Sequence, residues 1–424
     1  MTLFEVKANI KSGKYDKDFL MLYGETEKAR ERYLSACDEF EKLYINTDNV
    51  RIFSAPGRTE VGGNHTDHQH GSVVAGGVDM DVIAIVGTND DNIVRVKSKG
   101  YDMDIINVGE FDICENEKGR AISLIRGVCS KFAGLGFKIG GFNAYTTSNV
   151  LKGSGLSSSA AFEVLLGNII NGLFAEGKVE PIEIAKIGQY AEREYFGKPC
   201  GLLDQMASSL GGFTYADFNN PAEPITETIN LNISDFGYTL CVVDTGGNHA
   251  NLTQDYADIT IECKQISNAL GVEFLRDADV DKFYASIASL RKEFGERAVL
   301  RAFHFFNEQE RVLKQRKALL DGDFKAFLKL VNESGQSSFD YLQNLYSTTA
   351  VKEQGLSLAI ALTKQFLGEE GACRVHGGGF AGTIQCYIPT EILADYKQMI
   401  EAVYGKDSCS VLSIRPVGGY EIEL

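Results

Sequence analysis

The sequence predicts a mixed α+β protein built in two lobes. Segments with apolar residues at helical spacing are interleaved with short alternating or continuously apolar segments typical of strands. A second set of such segments begins after a break between residues 210 and 236. With 424 residues, 44% of them hydrophobic, the chain is long enough for two lobes that each bury a core. We therefore expect an N-terminal lobe over residues 1–225 and a C-terminal lobe over residues 226–424.

The N-terminal lobe is predicted to start with an amphipathic helix over residues 25–44, where apolar and aromatic side chains recur at helical spacing between dense charges. Apolar or alternating patterns then predict strands over 51–56, 73–89 and 92–97, and a further strand near 141–147. Helices are expected near 121–135, after residue 157, and over 182–196.

The C-terminal lobe is predicted to open with a strand over residues 238–245, followed by helices over 255–270, 297–320 and 324–332. The chain then closes with strand-like segments at 372–377, 383–388, 411–418 and 420–424, around a helix near 391–404. With only seven prolines, the sequence predicts no disordered linker between the lobes.

Charge and cysteine content argue against several classes of protein. A formal net charge of −16 disfavours nucleic acid or an anionic membrane as the main partner, because both attract basic surfaces. The nine cysteines are odd in number and never spaced CxxC, which suggests neither a disulfide framework nor a zinc finger. No apolar stretch is long enough for a membrane helix or a secretory signal, so we expect a cytoplasmic protein.

Three glycine-rich loops carry the candidate chemistry. The first, GRTEVGGNHTDHQHG at residues 57–71, combines glycines with an arginine, an aspartate and three histidines, and is either a polar loop or the floor of an active site. The second, VLKGSGLSSSAAFEVLLG at residues 150–167, sets a Gly/Ser turn before a helix, as in an anion site formed by free backbone N–H groups. Phosphate suits such a site, although a serine-capped helix after a flexible turn explains the same pattern.

The third loop, HGGGFAGTIQCYI at residues 376–388, contains a GxGxxG match. A dinucleotide-binding fold requires a helix after this match, whereas TIQCYI alternates and is β-branched. The sequence therefore predicts a turn between two strands. The chain also has no GxxxxGK(S/T) motif, which argues against a P-loop NTPase.

In this order, the three loops resemble those of the GHMP small-molecule kinases, and the first resembles the galactokinase branch. GRTEVGGNHTDH is similar to the branch's GRxNxIGEHTDY, LKGSGLSSSAA to the family's PxGxGLSSSAA, and HGGGFAGT to TGGGFGGC. GKPCGLLDQMAS, at residues 197–208, is similar to GxPCGxMDQ, and residues 301–334 resemble the branch's C-terminal helical hairpin. The resemblance covers most of residues 51–388.

This resemblance implies a ribosomal-protein-S5-domain-2-like N-terminal lobe, a ferredoxin-like C-terminal lobe, and an active site in the cleft between them. By position, Asp204 resembles the catalytic aspartate beside the sugar hydroxyl, and Arg58 resembles its cationic partner. Both residue types suit phosphoryl transfer, which needs positioning, charge neutralisation and a carboxylate that orients the hydroxyl or accepts its proton.

The resemblance also implies ATP and Mg²⁺ as cofactors. Ser159 and Glu192 match the positions that hold Mg²⁺ in related kinases, and a hydroxyl with one carboxylate leaves room for phosphate oxygens and water. The residues implied to line the phosphates are Gly153, Gly155, Ser157 and Ser158.

The residues that the resemblance implies for sugar recognition, besides Asp204, are Asn64, His65, Asp67, Gly201 and Tyr256. Asp67 suits vicinal hydroxyls, because an ionised carboxylate accepts two hydrogen bonds. His65 is expected to be a neutral partner of a hydroxyl. The alternative, a zinc cluster of His65, His68 and His70, lacks further ligands nearby at a regular spacing.

Two departures from the branch pattern bear on the substrate. Asn64 replaces the glutamate that contacts the C6 hydroxyl in galactokinases, and Glu60 replaces the asparagine two residues after the arginine. Because an amide can donate to a carboxylate where a glutamate would repel it, a C6-acid sugar such as galacturonate competes with galactose as the expected substrate.

We expect an ATP-dependent sugar-1-kinase that acts on galactose, with a kinase for another hexose or a hexuronate as the alternative. A non-catalytic sugar- and ATP-binding regulator is the alternative from another class. Retention of Arg58, Ser159, Glu192 and Asp204 favours the enzyme. The expected partners are small molecules, with no nucleic acid and no membrane, and the expected oligomeric state is a monomer or weak homodimer.

Overall fold

The structure is a computed structural model that describes residues 1–45, 48–150, 155–247 and 252–423. The helices of these residues are α1 (Leu3–Ser12), α2 (Asp16–Tyr23), α3 (Glu27–Leu43), α4 (Ala121–Gly134), α5 (Ser158–Phe174), α6 (Pro181–Tyr190), α7 (Leu203–Leu210), α8 (Thr253–Ala269), α9 (Val280–Phe294), α10 (Glu296–Asp321), α11 (Phe324–Ser337), α12 (Gly355–Leu367) and α13 (Leu393–Tyr404). The strands are β1 (Val50–Gly62), β2 (Ser72–Asn89), β3 (Ile93–Ser98), β4 (Met103–Asn107), β5 (Gly141–Ser148), β6 (Phe213–Asp217), β7 (Ile225–Ile229), β8 (Tyr238–Asp244), β9 (Ala372–His376), β10 (Thr383–Pro389), β11 (Cys409–Leu412) and β12 (Tyr420–Ile422).

The larger sheet has eight strands among the described residues, in the order β12-β1-β2-β5-β3-β4, with β6 paired to both β2 and β7. Long antiparallel strands β1 and β2 form its centre, and the first glycine loop joins them. Alternate side chains of these strands point to opposite faces. On one face, residues such as Phe53 and Val86 join Ile125 of α4 and Val164 of α5 in the main hydrophobic core.

The opposite face of the larger sheet is covered by the N-terminal helices. Tyr33 and Phe40 of α3 pack in one buried cluster with Ile52 of β1 and Ile85 of β2. Helix α1 begins with a complete capping box, in which the Thr2 side chain and the Glu5 side chain each bond the other's backbone N–H. These helices therefore shield apolar strand residues that the main core leaves on the outer face.

The smaller sheet has the order β11-β8-β10-β9. Strands β9 and β10 are antiparallel, and the third glycine loop turns between them. The predicted strand after the GxGxxG match is thus confirmed, and the loop opens no helix. The last strand, β12, pairs with β1 of the larger sheet, so the chain returns to its N-terminal half. The division into lobes at residue 225 stays a prediction.

Most predicted elements are present, with shifted ends. The predicted helix over 182–196 changes to a π-helical segment, Ala191–Phe196, after α6 ends at Tyr190. The strand predicted over 411–418 is wrong beyond Leu412, because Arg415 turns into the core and bonds Ser54 and Asp81. The pattern analysis missed α1, α2, α7, α9 and α12, and the short strands β4, β6 and β7. Across the part of the chain described here, no helix is long and apolar enough to cross a membrane.

Candidate active site

Arg58 and Asp204 meet at the junction of three segments. Arg58 lies on β1 and is 7% exposed, and Asp204 lies in the first turn of α7. Arg58 Nε donates to Asp204 Oδ1 over 2.7 Å, and its Nη1 donates to the carbonyl oxygen of Gly155. On its other side, Asp204 Oδ2 accepts a hydrogen bond of 2.7 Å from Ser157 Oγ. The aspartate is therefore held by a cation from the first loop and a hydroxyl from the second.

Close backbone contact brings the first loop against the second. The backbone N–H of Arg58 donates to the carbonyl oxygen of Leu156 at 2.9 Å. A Cβ on Gly57 would lie 2.8 Å from the same oxygen, so a residue with a side chain would push the two loops apart. This explains in physical terms why the arginine of the first loop follows a glycine.

The second loop leads into helix α5, whose N-cap residue does not cap the helix. Ser157 is the N-cap residue of α5 at φ 55°, and its side chain makes no cap hydrogen bond. The serine-capped alternative is therefore wrong for Ser157, whose hydroxyl bonds Asp204 instead. The first N–H groups of α5 thus stay available for an anion. Of the residues expected to line phosphates, Gly155, Ser157 and Ser158 lie here, and Gly153 lies outside the described residues.

Ser158 and Ser159 also line a cavity of about 540 Å³ that the sequence patterns did not reveal. Its other walls come from the β3–β4 turn, the start of α4 and the end of β5, and include Lys99, Arg120 and Thr147. These residues lie on separate elements and belong to no common sequence motif. The sequence therefore could not predict that they form one site.

Glu192 stands beside Ser159 and is 3% exposed. Its Oε1 accepts from Ser159 Oγ at 3.3 Å and from Lys198 Nζ at 2.9 Å. Its Oε2 accepts from Gln205 Nε2 at 2.8 Å, and the same nitrogen donates to Glu163 Oε2 at 2.9 Å. Burial, together with the neighbouring Glu192 charge, raises the pKa of Glu163 well above its ordinary value. Glu163, Lys198 and Gln205 were not predicted, although GKPCGLLDQ contains the latter two.

A cleft of about 160 Å³ opens beside Asp204. Most residues expected to bind sugar line this cleft, which is formed by Arg58, Glu60, Gly63, Asn64, His65, Asp67, Cys200, Gly201, Leu203, Asp204, Gly377 and Gly378. Tyr256 is not among the lining residues. Its hydroxyl donates to the carbonyl oxygen of Gly379 at 3.0 Å, and its ring stacks 6.5 Å from that of His65.

Asn64 is buried, and its amide is fully engaged by the protein. Its Nδ2 donates to Glu60 Oε1 at 2.7 Å and to the carbonyl oxygen of Gly377 at 2.8 Å. Its Oδ1 accepts from Asn344 Nδ2 at 2.8 Å. Glu60 Oε1 also accepts from Arg374 Nη2 at 3.2 Å. Burial raises the pKa of Glu60, against the opposing effects of Arg374, Arg58 and the Asn64 hydrogen bond.

His65 is neutral at physiological pH. Burial, reinforced by His68, lowers the pKa of His65 to about 4. Its Nε2 bonds the carbonyl oxygen of Gly378 at 2.9 Å, so this nitrogen carries the proton. The His65 and His68 rings meet edge to face at 6.1 Å, and His68 Nδ1 lies 3.7 Å from Asp67 Oδ1, whereas the His70 ring stacks on Phe274 at 3.6 Å.

Asp67 and Gly201 line the cleft in close contact with each other. Burial opposes ionisation of Asp67, but the hydrogen bond and charge of His68 outweigh it and lower the pKa of Asp67. A Cβ on Gly201 would lie 2.1 Å from Asp67 Oδ2. Gly201 therefore leaves the space that this carboxylate fills.

Two family models match segments of this chain. Residues 122–212 match the family model of the GHMP kinases N terminal domain, and residues 38–88 match the galactokinase galactose-binding signature. The galactokinase of Lacticaseibacillus casei strain BL23 is 31% identical over 365 residues, which cover 83% of this chain and 88% of that protein. The galactokinase of Lactobacillus helveticus is 31% identical over 385 residues, covering 87% and 94%. The chain belongs to the galactokinase family.

Solved structures show the same fold. The Lactococcus lactis galactokinase crystallised with galactose superposes on this galactokinase-family chain with a TM-score of 0.76 at 22% identity, covering 90% of this chain and 98% of that one. The mevalonate kinase of L. major matches with a TM-score of 0.59 at 14% identity, covering 88% and 97%. The predicted family and the two-lobe α+β fold are thus confirmed, and the chain is a kinase that transfers phosphate to a hydroxyl group.

Proposed function

We propose that this galactokinase-family protein phosphorylates the anomeric hydroxyl of galactose with ATP and Mg²⁺. The observation that carries the proposal is the position of Asp204, which is held by Arg58 and Ser157 where the sugar-sized cleft meets the N-terminus of α5. An acceptor hydroxyl in the cleft and a phosphoryl group at the helix N-terminus would meet at this carboxylate. The named relatives that act on galactose support the choice of sugar.

Asp204 and Arg58 are the proposed catalytic residues. Asp204 orients the acceptor hydroxyl or accepts its proton, and Arg58 keeps a positive charge beside the reacting groups. Since Arg58 already donates to both Asp204 and the Gly155 carbonyl, little rearrangement is needed before transfer.

The proposed nucleotide site joins the α5 N-terminus to the cavity lined by Ser158 and Ser159. Free N–H groups at the helix start, with the helix dipole, favour phosphate oxygens. The cavity of about 540 Å³ next to them suits the rest of the nucleotide. Gly153 and Gly155 remain proposed phosphate-lining residues.

Ser159 and Glu192 are the proposed Mg²⁺ ligands. A hydroxyl and a carboxylate that lie 3.3 Å apart form an oxygen donor set of the kind this ion prefers. Within the described ranges, no three His, Cys, Asp or Glu side chains converge on one point, so nucleotide phosphates and water would complete the coordination. When bound, the ion neutralises phosphate charge. The Lys198 ammonium, on the same Glu192 oxygen, adds a second cation beside the phosphates.

The proposed sugar contacts are the Asp67 carboxylate, the neutral His65 ring and the backbone of Gly201, which has no side chain. Asn64 and Tyr256 keep a proposed role in sugar binding as supports, since Asn64 holds Glu60 and Tyr256 stacks beside His65.

The test is ADP release with Mg²⁺ and ATP on galactose, galacturonate, glucose, N-acetylgalactosamine and arabinose. We expect the highest kcat/KM on galactose, and no ADP release without Mg²⁺. Preference for another sugar contradicts the substrate assignment. Calorimetric binding of ATP and galactose without ADP release contradicts the catalytic assignment and supports the regulator.

A further inference from the structure

We propose that Glu60 is the residue that selects the sugar, by accepting a hydrogen bond from a sugar hydroxyl other than the phosphorylated one. The inference rests on the proposed sugar-kinase function. It starts from the contact between two residues that depart from the galactokinase pattern: the amide of Asn64 donates to the carboxylate of Glu60 over 2.7 Å. The chain has exchanged the amide and the carboxylate of this pair while keeping both groups in the cleft wall.

Both polar atoms of the Asn64 side chain are bonded to other protein groups. Both protons of its Nδ2 go to Glu60 and to the Gly377 carbonyl, and its Oδ1 accepts from Asn344. The residue is 1% exposed, and its backbone carbonyl accepts from His304 Nε2 at 2.9 Å. We infer that the Asn64 side chain acts on the sugar through Glu60.

Glu60 offers one carboxylate oxygen to the cleft. Its Oε1 accepts both internal hydrogen bonds, from Asn64 and Arg374, and no group in the described part of the chain donates to Oε2. Arg374 is itself fixed, since its Nη1 donates to the Val61 carbonyl at 2.6 Å and its Nε to the Val375 carbonyl at 3.0 Å. Glu60 is thus a lining carboxylate whose orientation is set by fully buried groups.

The distance between Glu60 and Arg58 along β1 matches the size of a sugar. Arg58 and Glu60 pair with Gly77 and Ala75 of β2 without an irregularity between them. Residues two apart on a strand share one face and lie about 6.6 Å apart. That is the span of one hexopyranose ring, so a sugar held at Arg58 and Asp204 reaches Glu60 with a distant hydroxyl.

The charges of the cleft favour a neutral sugar over a sugar acid. Glu60, Asp67 and Asp204 line it together, and the guanidinium groups of Arg58 and Arg374 already bond protein oxygens. Among the described residues that line the cleft, Arg58 is the one cation and already bonds Asp204 and the Gly155 carbonyl. A ligand carboxylate would therefore meet three carboxylates, whereas a hydroxyl donates to them. The Asn64 amide therefore donates to the carboxylate of Glu60 and not to a carboxylate of the sugar. We expect the cleft to disfavour galacturonate.

The experiment measures kcat/KM for galactose, galacturonate and the monodeoxygalactoses with the wild type, Glu60→Gln, Asn64→Glu and the double variant Glu60→Asn/Asn64→Glu. Glu60→Gln keeps an oxygen for Asn64 and Arg374 and places an amide donor toward the cleft. The control is Glu308→Gln, a buried carboxylate that accepts from the Gly63 N–H at 3.1 Å but does not line the cleft. Thermal unfolding of each variant reports folding.

We expect the wild type to lose about 10- to 100-fold in kcat/KM on one deoxy sugar, and Glu60→Gln to lose most of that discrimination. Glu308→Gln keeps it. Asn64→Glu brings two buried carboxylates together and loses activity, while the double variant recovers activity above Asn64→Glu. Three results contradict the role of Glu60. In the first, Glu60→Gln discriminates between galactose and the deoxy sugar as the wild type does. In the others, the double variant recovers no activity, or the wild type has equal kcat/KM for galacturonate and galactose.

Calorimetric binding of the same sugars separates this inference from the proposed function. If no sugar is turned over but the wild type binds galactose and Glu60→Gln alone loses discrimination among the deoxy sugars, the kinase function fails and the role of Glu60 stands. If galactose is turned over and Glu60→Gln discriminates like the wild type, the function stands and the role of Glu60 fails.

Discussion

The Arg58 side chain donates a hydrogen bond to Asp204 over 2.7 Å, which joins strand β1 to the first turn of α7. We predict that Asp204→Asn lowers kcat about 10²- to 10⁴-fold, because the amide neither accepts the hydroxyl proton nor carries the charge that faces Arg58. Initial rates of ADP release at saturating ATP and galactose measure the effect. A melting temperature close to that of the wild type shows that the fold is intact, and near-normal turnover in this variant contradicts the assignment.

The two neighbouring serines of the second loop are predicted to affect different kinetic constants. Ser157 bonds Asp204 at 2.7 Å, whereas Ser158 lines the proposed nucleotide cavity. Ser157→Ala should lower kcat about tenfold, the effect of one hydrogen bond to a charged group. Ser158→Ala should instead raise the KM for ATP. Steady-state kinetics with ATP and galactose varied in turn compare them, and equal effects of both variants on kcat contradict the distinction.

Gly201→Ala is predicted to weaken sugar binding without unfolding the protein. The added methyl group would lie 2.1 Å from Asp67 Oδ2, so the carboxylate must turn away from its present position. We expect the KM for galactose to rise about tenfold, consistent with the loss of one charged hydrogen bond. Gly134→Ala is the matched control, because its added methyl group would meet no atom within 4 Å. An unchanged KM in Gly201→Ala shows that Asp67 does not bind the sugar.

A buried charge network links the N-terminal helices to the larger sheet, and its loss should destabilise the fold. Asp81 of β2 is fully buried, accepts from Tyr23 Oη at 2.6 Å, and pairs with Arg415 at 3.3 Å and with Arg32. Asp81→Asn leaves Arg415 buried without a carboxylate. We predict a decrease of about 3–5 kcal/mol in the free energy of unfolding.

Urea denaturation measures this effect. The control is Asp91→Asn, which removes the ion pair between Asp91 and Arg95, with a separation of 2.7 Å. The Asp91 side chain is 50% exposed. Exposed pairs contribute about 1 kcal/mol or less, so the control should unfold close to the wild type. Equal stability losses in the two variants contradict the proposed contribution of burial.

His65 predicts a pH dependence of stability. Its pKa is about 4 in the folded protein, against an ordinary value of 6.5. Between these values the unfolded chain binds the proton and the folded chain does not, so the free energy of unfolding falls as pH decreases from 6.5 toward 4. At pH 5 this difference in proton binding by His65 lowers the free energy of unfolding by about 2 kcal/mol.

Urea denaturation of the wild type and His65→Gln at pH 7 and pH 5 isolates this residue from the other histidines. The wild type should lose about 2 kcal/mol more than His65→Gln between the two pH values. The same loss in both proteins contradicts a His65 that stays neutral in the folded protein.

Most of the elements that the pattern analysis missed are short, although α9 and α12 have 15 and 13 residues. Helices α1 and α2 span ten and eight residues, and α7 spans eight, so each offers few turns in which a period can be recognised. Strands β4, β6 and β7 have five residues each. These strands are stabilised by pairing with other strands of the larger sheet, which the local sequence does not display.

The sequence by itself determined the family, the three loops, the strand after the third loop, and the residue types needed for phosphoryl transfer. Glycines, serines and a helix start within a short segment have consequences that depend mainly on local backbone geometry. For this reason the second loop could be located from the sequence, whereas the roles of Arg58 and Asp204 came from the resemblance to the family and stay predictions.

The tertiary structure alone decided which partner each side chain takes. Asn64 meets Asn344 and Gly377 across 280 and 313 positions of the chain, and its amide also bonds Glu60. Likewise, Ser157 bonds Asp204 rather than capping its own helix, and Gln205 joins Glu163 to Glu192. A buried polar group must find a hydrogen-bond partner, and the packing of distant segments determines which one lies within reach.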